Sequence, residues 1–165
     1  MREFLQPVDR GLERLQPQTR FALALLLGFA LASYVVMVLL GLSRSGLAPH
    51  SIASYYAGSV PGEGKSSGEL LELTHFHLFA MPLFLFVLGH VFLMCRFPGA
   101  RLRRWIVLLA FVGAACDLSA PWLVIGVGPA CAWVKVAGRL LLAPALLAMT
   151  LLPLAEIARA GRRAD

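Results

Sequence analysis

The chain has 165 residues, of which 59% are hydrophobic and only 15% are charged, and its mean hydropathy is +0.76. This composition excludes an ordinary soluble domain and is typical of an integral membrane protein. The formal net charge of +6 is carried largely by arginines that flank apolar segments. We therefore attribute it to membrane topology and contact with anionic lipid, and expect no nucleic-acid partner.

Four apolar segments are long enough to cross a hydrocarbon core of ~30 Å, which takes about 20 helical residues. They cover approximately residues 21–42, 73–95, 105–127 and 130–154. The sequence predicts an all-α membrane protein, a four-transmembrane-helix bundle within residues 21–158, with almost nothing left for a soluble domain.

Basic residues indicate the orientation of the bundle. Arginines are concentrated in residues 1–20, between spans two and three, and in the tail 159–165, whereas the loop 43–72 contains only Arg44 and Lys65. Because basic loops remain in the cytoplasm, we expect both termini inside and the loop 43–72 outside. The expected location is the bacterial inner (cytoplasmic) membrane, in multi-pass form.

The first 42 residues contain two patterns. Apolar residues recur at helical spacing within residues 1–20, which predicts a short amphipathic helix on the inner membrane surface: Leu5, Val8, Leu12 and Leu15. Span one has small residues at four-residue spacing, on which a helix of the same chain or of a second copy can pack: Ala24, Gly28 and Ala32.

The outer loop contains an aromatic pair and a helix start. Tyr55 and Tyr56 fit an interfacial belt at the lipid headgroups, with a docking surface for an extracytoplasmic partner as the alternative. Ser66 and Glu69 are spaced as a capping box, which predicts that the helix of span two begins there.

Span two holds three of the four histidines: His75, His77 and His90. An ionisable residue within a membrane span is costly to place and is a functional-site hypothesis by default. Fifteen helical positions separate His75 from His90, which gives a net rotation of about 60° and a rise of ~22 Å. These two histidines share a face, one near each side of the membrane, while His77 lies on nearly the opposite face.

A glycine and two aromatic residues lie next to this histidine pair: Gly89, Phe79 and Phe86. In this pattern span two resembles the ligand-bearing helices of membrane b-type cytochromes, in which paired histidines recur at about this separation. The resemblance implies that His75 and His90 are axial ligands of haem b and that the protein transfers electrons across the membrane.

The sequence departs from the cytochrome pattern because no other span contains a histidine. Three sources of a second axial ligand remain open. A homodimer brings two copies of span two together, a partner membrane subunit or extracytoplasmic redox protein donates a ligand, or Met37 or Met149 serves as one.

A second candidate site lies at the outer end of span two. Glu69, Glu72 and His75 recur at three-residue spacing, and His50 and His77 are within reach of the same surface. Carboxylate and imidazole ligands suit zinc, copper or iron, so the sequence predicts a metal site formed by His50, Glu72 and His77. The alternative is that these side chains are interfacial or form ordinary hydrogen bonds between helices.

Spans three and four place opposite charges at one depth. Asp117 lies eleven residues before Gly128, in the tight turn, and Arg139 lies eleven residues after it. On adjacent antiparallel helices this spacing predicts an intramembrane ion pair between Asp117 and Arg139. The pair is either structural or part of a proton-relay or anion site. Lys135 is expected to extend towards the outer surface.

The segment THFHLFAMPLFLFVLGHVF, residues 74–92, resembles an uncharacterised family of small four-span bacterial membrane proteins, and this resemblance implies no activity. The sequence as a whole favours an integral membrane redox or accessory subunit, with haem b as the candidate cofactor. The alternative is a structural membrane anchor or assembly factor for an extracytoplasmic partner, without a cofactor. The sequence shows no nucleophile and base arranged for catalysis, so we do not expect an enzyme.

Overall fold

The computed structural model of the protein describes residues 11–60 and 63–162. In these ranges the chain forms five α-helices: α1 (Pro17–Ser45), α2 (Pro49–Ala57), α3 (Ser67–Leu93), α4 (Ala100–Gly126) and α5 (Ala132–Gly161). Two 3₁₀ turns, Leu12–Arg14 and Pro129–Cys131, precede α1 and α5. No β-strand occurs in the described ranges.

Four of these helical segments are long and apolar enough to cross a membrane: α1, α3, α4 and Pro129–Gly161. The all-α bundle with four spans predicted from the sequence is therefore confirmed. Helix α1 extends beyond its predicted segment at both ends, α3 and α4 begin earlier than predicted but end at Leu93 and Gly126, and α5 continues to Gly161. The predicted loop 43–72 is partly helical, because α1 continues to Ser45, α2 lies within the connection and α3 begins at Ser67.

The helix α3 begins at the predicted capping box. The Ser66 hydroxyl accepts a hydrogen bond from the Glu69 backbone N–H at 3.2 Å, and the Glu69 carboxylate accepts one from the Ser66 backbone N–H at 2.8 Å. Two of the N–H groups left unpaired at the start of a helix are satisfied in this way. The predicted start of span two is thus confirmed.

The N-terminal segment differs from the predicted amphipathic helix where it is described. Residues 1–10 lie outside the described ranges, Leu12 is buried in a 3₁₀ turn, and α1 begins at Pro17. The Glu156 carboxylate accepts hydrogen bonds from the backbone N–H groups of Leu12, at 2.7 Å, and Arg96, at 2.9 Å. Glu156 therefore holds the N-terminal segment and the α3–α4 connection against α5. Of the predicted tail 159–165, α5 includes Arg159 to Gly161, and residues 163–165 are outside the described ranges.

The helices α4 and α5 cross closely at two glycines. A Cβ atom on Gly113 would lie 2.8 Å from the Leu142 backbone nitrogen, and one on Gly138 would lie 2.8 Å from the Asp117 nitrogen. Close backbone approach of this kind stabilises helix pairs in lipid, where packing replaces the hydrophobic effect. By contrast, no atom of another described segment lies within 4 Å of a Cβ built on Gly28, so this glycine is not at a close helix crossing within the described chain.

The interior is divided into two hydrophobic clusters. The larger lies in the half of the bundle nearer the termini and includes Leu27, Leu88, Phe92 and Met149. The smaller is at the opposite end, where α2 packs onto α4 and α5 through Ile52, Tyr56, Val124 and Ala132. Helix α2 therefore folds back over the end of the bundle that is far from the termini.

Candidate functional site

Three charged side chains meet between α4 and α5. The Lys135 ammonium lies 3.0 Å from Oδ2 of Asp117, and the Arg139 Nε lies 3.8 Å from Oδ1 of the same carboxylate. The structure thus brings Asp117 and Arg139 together, as the spacing around Gly128 predicted, and adds Lys135 as the nearer cation. Lys135 is buried, with 6% of its surface exposed. The prediction that Lys135 extends to the outer surface is wrong, because its ammonium instead turns inward onto Asp117.

Pro121 explains why Lys135 binds Asp117 twice. Proline has no backbone N–H, so the carbonyl four residues earlier in the helix loses its intrahelical donor. That carbonyl belongs to Asp117, and it accepts a hydrogen bond from the Lys135 ammonium at 3.1 Å. Asp117 therefore offers Lys135 both a carboxylate and a free backbone carbonyl, which compensates for taking an ammonium out of water.

Arg139 links this cluster to the end of α1. Its Nη1 donates to the carbonyl of Gly46 at 2.6 Å, and its Nη2 donates to the Ser45 hydroxyl at 2.8 Å. Gly46 ends α1 with a positive φ of 64°, a conformation that favours glycine. The guanidinium thereby connects α5, the α4 carboxylate and the connection from α1 to α2.

Tyr56 on α2 forms one wall of the site. Its ring centroid lies 5.5 Å from the Lys135 ammonium, a cation–π contact, and the Tyr55 ring packs against it edge to face at 4.9 Å. Burial, reinforced by the Asp117 carboxylate, raises the pKa of Tyr56 to about 12. The hydroxyl is therefore neutral at physiological pH. The predicted interfacial or docking role is wrong for Tyr56, which is buried because α2 folds onto the bundle, while Tyr55 is half-buried.

These polar groups border a cavity of about 380 Å³ in the half of the bundle away from the termini. Most of its other walls are apolar, with contributions from every helix, including Tyr34, Met37, Val38, Met81, Leu118 and Leu140. Leu40 is 46% exposed and Leu140 is 70% exposed. These two residues therefore both line the cavity and reach the outside of the helix bundle.

His77 is the histidine that lines this cavity. Its Nδ1 lies 2.8 Å from the carbonyl oxygen of Leu73, and since a carbonyl only accepts, Nδ1 carries the proton and donates. Next to it, the Trp122 indole N–H donates to the Thr74 hydroxyl at 2.8 Å and links α4 to α3. The hydrogen bond to Leu73 fixes the orientation of the His77 ring against its own helix.

The other histidines lie elsewhere. His75 and His90 are both on the exposed surface of α3, and His90 stacks on Phe86 at 6.1 Å between ring centroids. His50 and Glu72 are also exposed. Among residues 11–60 and 63–162, no group of three or more His, Cys, Asp or Glu side chains is placed to hold a metal ion. The structure therefore does not gather His50, Glu72 and His77 into such a group.

Sequence reasoning placed Lys135 towards the outer surface, although two spacings in the sequence favour an inward position. Lys135 and Arg139 are four residues apart and so share one face of α5. Asp117 and Pro121 are also four residues apart, which marks the Asp117 carbonyl as unpaired. The inward position of Tyr56 had no comparable signal, because it depends on how α2 folds back.

A family model described as a transmembrane helical domain matches residues 46–164. The match begins directly after α1 and includes α2 to α5, and so it contains Asp117, Lys135 and Arg139. No curated protein and no solved structure matches the chain.

Proposed function

The chain belongs to the Aq_1264_TM family of transmembrane helical domains, and from this premise we propose that it is a non-catalytic multi-pass membrane protein that binds a membrane-soluble ligand in its cavity. The observation that carries this proposal is the position of Lys135, a buried ammonium at the border of a cavity with apolar walls. Intramembrane charges that face a cavity commonly mark ligand or ion sites. A pocket with apolar walls and a few convergent polar groups is the usual form of a small-molecule site.

The proposed location is the bacterial inner membrane, with both termini in the cytoplasm. Support comes from basic side chains near the end of the bundle that holds the termini, including Arg96, Arg101, Arg104 and Arg159. Under the positive-inside rule this end is cytoplasmic. The cavity and α2 then lie in the outer half of the bilayer.

A matched pair of glycine substitutions on α1 tests ligand binding. Gly41 lines the cavity, and a Cβ atom there would make only an ordinary contact, 3.7 Å from Arg139 Nη2. Gly41→Leu therefore fills cavity space without a backbone clash. Gly28→Leu is the control, because it makes the same change on the same helix where a Cβ meets no atom within 4 Å.

We expect native mass spectrometry of the detergent-purified protein to show a bound small molecule. Its occupancy should fall in Gly41→Leu and remain unchanged in Gly28→Leu. Equal occupancy in the two variants would place the bound molecule on the outer surface of the bundle and contradict the proposal.

A second candidate function is transmembrane electron transfer through haem b. The observation that favours it is the exposure of both His75 and His90 on α3, which leaves the two imidazoles accessible to a second molecule. Both side chains lie on the outside of the described bundle. A haem site would therefore require a homodimer or a partner subunit that supplies the opposite wall.

The visible absorption spectrum of the purified protein tests this second function. A Soret band with sharp reduced α and β bands, absent in His75→Ala and His90→Ala, would support it. A colourless, folded protein without bound transition metal would exclude both the haem and the metal hypotheses. If such a protein also lacked a cavity ligand, the remaining function would be a membrane anchor or assembly factor for an extracytoplasmic partner.

A further inference from the structure

We infer that the cavity binds an anionic phospholipid, with the phosphate group at Lys135 and Arg139 and a hydrocarbon chain along the apolar wall. This inference rests on the proposed ligand-binding function of the cavity. It specifies the charge of the ligand and the route by which the ligand enters.

The charges around the cavity do not balance. Three cations line it, Arg44, Lys135 and Arg139, whereas Asp117 is the only carboxylate among the described lining residues. Both oxygens of that carboxylate already face a cation. Lys135 and Arg139 share that single carboxylate, and the exposed Arg44 adds a third positive charge at the cavity. Excess positive charge is costly in a medium of low dielectric constant. An anionic ligand supplies the missing negative charge.

Hydrogen-bond donors also remain for a ligand. A guanidinium has five N–H donors. Arg139 uses one in a hydrogen bond to Gly46 and one in a hydrogen bond to Ser45, while its Nε lies 3.8 Å from Asp117 in an ion pair. The second N–H of each terminal nitrogen has no hydrogen bond within the described chain. Arg44, at the end of α1, has no hydrogen bond or ion pair within the part of the chain that the structure describes. Arginine suits the recognition of phosphate oxygens, because its planar donors match their geometry.

The shape of the site favours a lipid over a free anion. The cavity continues from the charged cluster along apolar side chains of α1, α3 and α5, such as Val38, Met81 and Leu140. Inorganic phosphate would leave this wall without a contact, whereas a lipid chain covers it. The exposure of Leu40 and Leu140 gives a lipid access from the bilayer without crossing water.

The test measures the melting temperature of the delipidated, detergent-purified protein by intrinsic tryptophan fluorescence. The additions, at equal mole fraction, are phosphatidylglycerol, phosphatidylcholine and a neutral isoprenoid quinone, with inorganic phosphate as a separate arm. We expect phosphatidylglycerol to give the largest increase. A free-phosphate increase as large as that from phosphatidylglycerol would assign the site to a soluble anion and overturn the inference.

Three charge variants locate the effect. Arg139→Gln should abolish the preference for phosphatidylglycerol over phosphatidylcholine. Arg44 is exposed and has no hydrogen bond in the described chain, so the Arg44→Gln variant should fold normally. It should bind phosphatidylglycerol about five-fold more weakly, because one basic residue near anionic lipid contributes that much to binding. Arg104→Gln is the control, since it removes the same charge at the opposite end of the bundle, and it should keep the full preference.

The outcomes separate this inference from the proposed function. If phosphatidylcholine or the quinone stabilises the protein as well as phosphatidylglycerol does, and Gly41→Leu removes that effect, the cavity binds a ligand but the inference about charge is wrong. If the preference for phosphatidylglycerol persists in both Arg139→Gln and Arg44→Gln, the lipid binds elsewhere and the inference is wrong. If no addition changes the melting temperature, the proposed function itself fails.

Discussion

The Lys135 ammonium contacts Asp117 at two points, 3.0 Å from the carboxylate and 3.1 Å from the backbone carbonyl. Arg139 forms a longer ion pair with the same carboxylate, at 3.8 Å, and makes its hydrogen bonds to Gly46 and Ser45. The main ionic partner of Asp117 is therefore Lys135, and Arg139 chiefly joins α5 to the end of α1.

Asp117→Asn should destabilise the bundle by about 3 kcal/mol or more, because it leaves two cations without their carboxylate in a region of low dielectric constant. Adding Lys135→Gln should recover more of this loss than adding Arg139→Gln, since the Lys135 contact is shorter and more buried. Unfolding of the detergent-solubilised single and double variants measures both coupling energies. Additive losses in the two double variants would exclude direct coupling.

Gly138→Ala should destabilise the contact between α4 and α5 by about 1–3 kcal/mol, since the added methyl would lie 2.8 Å from backbone atoms of Asp117 and Gly113. Gly28→Ala is the matched control. It places the same methyl where no atom lies within 4 Å and should be neutral or slightly stabilising, because alanine favours helix more than glycine does. Thermal unfolding of the two variants compares them directly, and equal melting temperatures would argue against a close helix crossing at Gly138.

Cys95 should be the least reactive of the three cysteines towards N-ethylmaleimide at pH 8. Burial, followed by the nearby Glu156 carboxylate, raises the pKa of its thiol to about 12 from the ordinary value of 9.0, and the thiolate is the reactive form. Peptide mass spectrometry after timed labelling, with a denatured sample as the control, measures each site. Rapid labelling of Cys95 in the folded protein would contradict this prediction.

The same pKa shift affects stability in alkaline solution. Above pH 9 the unfolded chain releases the Cys95 proton while the folded chain retains it. Ionisation then lowers the free energy of the unfolded state relative to the folded state. The contribution of this group to stability is complete below pH 9 and declines as the pH rises towards 12. Cys95→Ala should show a smaller loss of stability between these two pH values than the wild-type protein.

The orientation of the bundle can be tested with two exposed positions at opposite ends. Val127, after α4, is 75% exposed, and Arg162, after α5, is also exposed. In a Cys131→Ala background, a membrane-impermeant maleimide should label Val127→Cys in intact cells. It should label Arg162→Cys only after the cells are permeabilised, and the reverse pattern would mean that the termini face outward.

The sequence predicted the features that depend on spacing along one helix or across one tight turn. The four spans follow from apolar length, the start of α3 from the positions of Ser66 and Glu69, and the proximity of Asp117 and Arg139 from their equal distance to Gly128. All three features depend on the geometry of a single helix or a single tight turn, which can be calculated from the spacing of residues along the chain.

The missed features depend on how separate segments fold against each other. The inward position of Tyr56 requires α2 to lie across the end of the bundle, and the two hydrogen bonds of Glu156 require the N-terminal segment to return to α5. A glycine's contacts likewise depend on the rotation of its helix. Gly28 follows a small-residue pattern and Gly138, between Val134 and Leu142, does not, yet Gly138 is the one that lies at a close crossing.

The position of Leu40 and Leu140, in the cavity wall and on the outside of the bundle, changes which concentration governs the occupancy of the cavity. A molecule that enters past Leu40 and Leu140 stays within the membrane, so its mole fraction among the surrounding lipids determines binding, whatever its solubility in water. If the cavity binds lipid as we infer, the share of copies that hold one lipid class follows the mole fraction of that class multiplied by its relative affinity. A shift in the lipid composition of the cell would then change which lipid occupies the cavity.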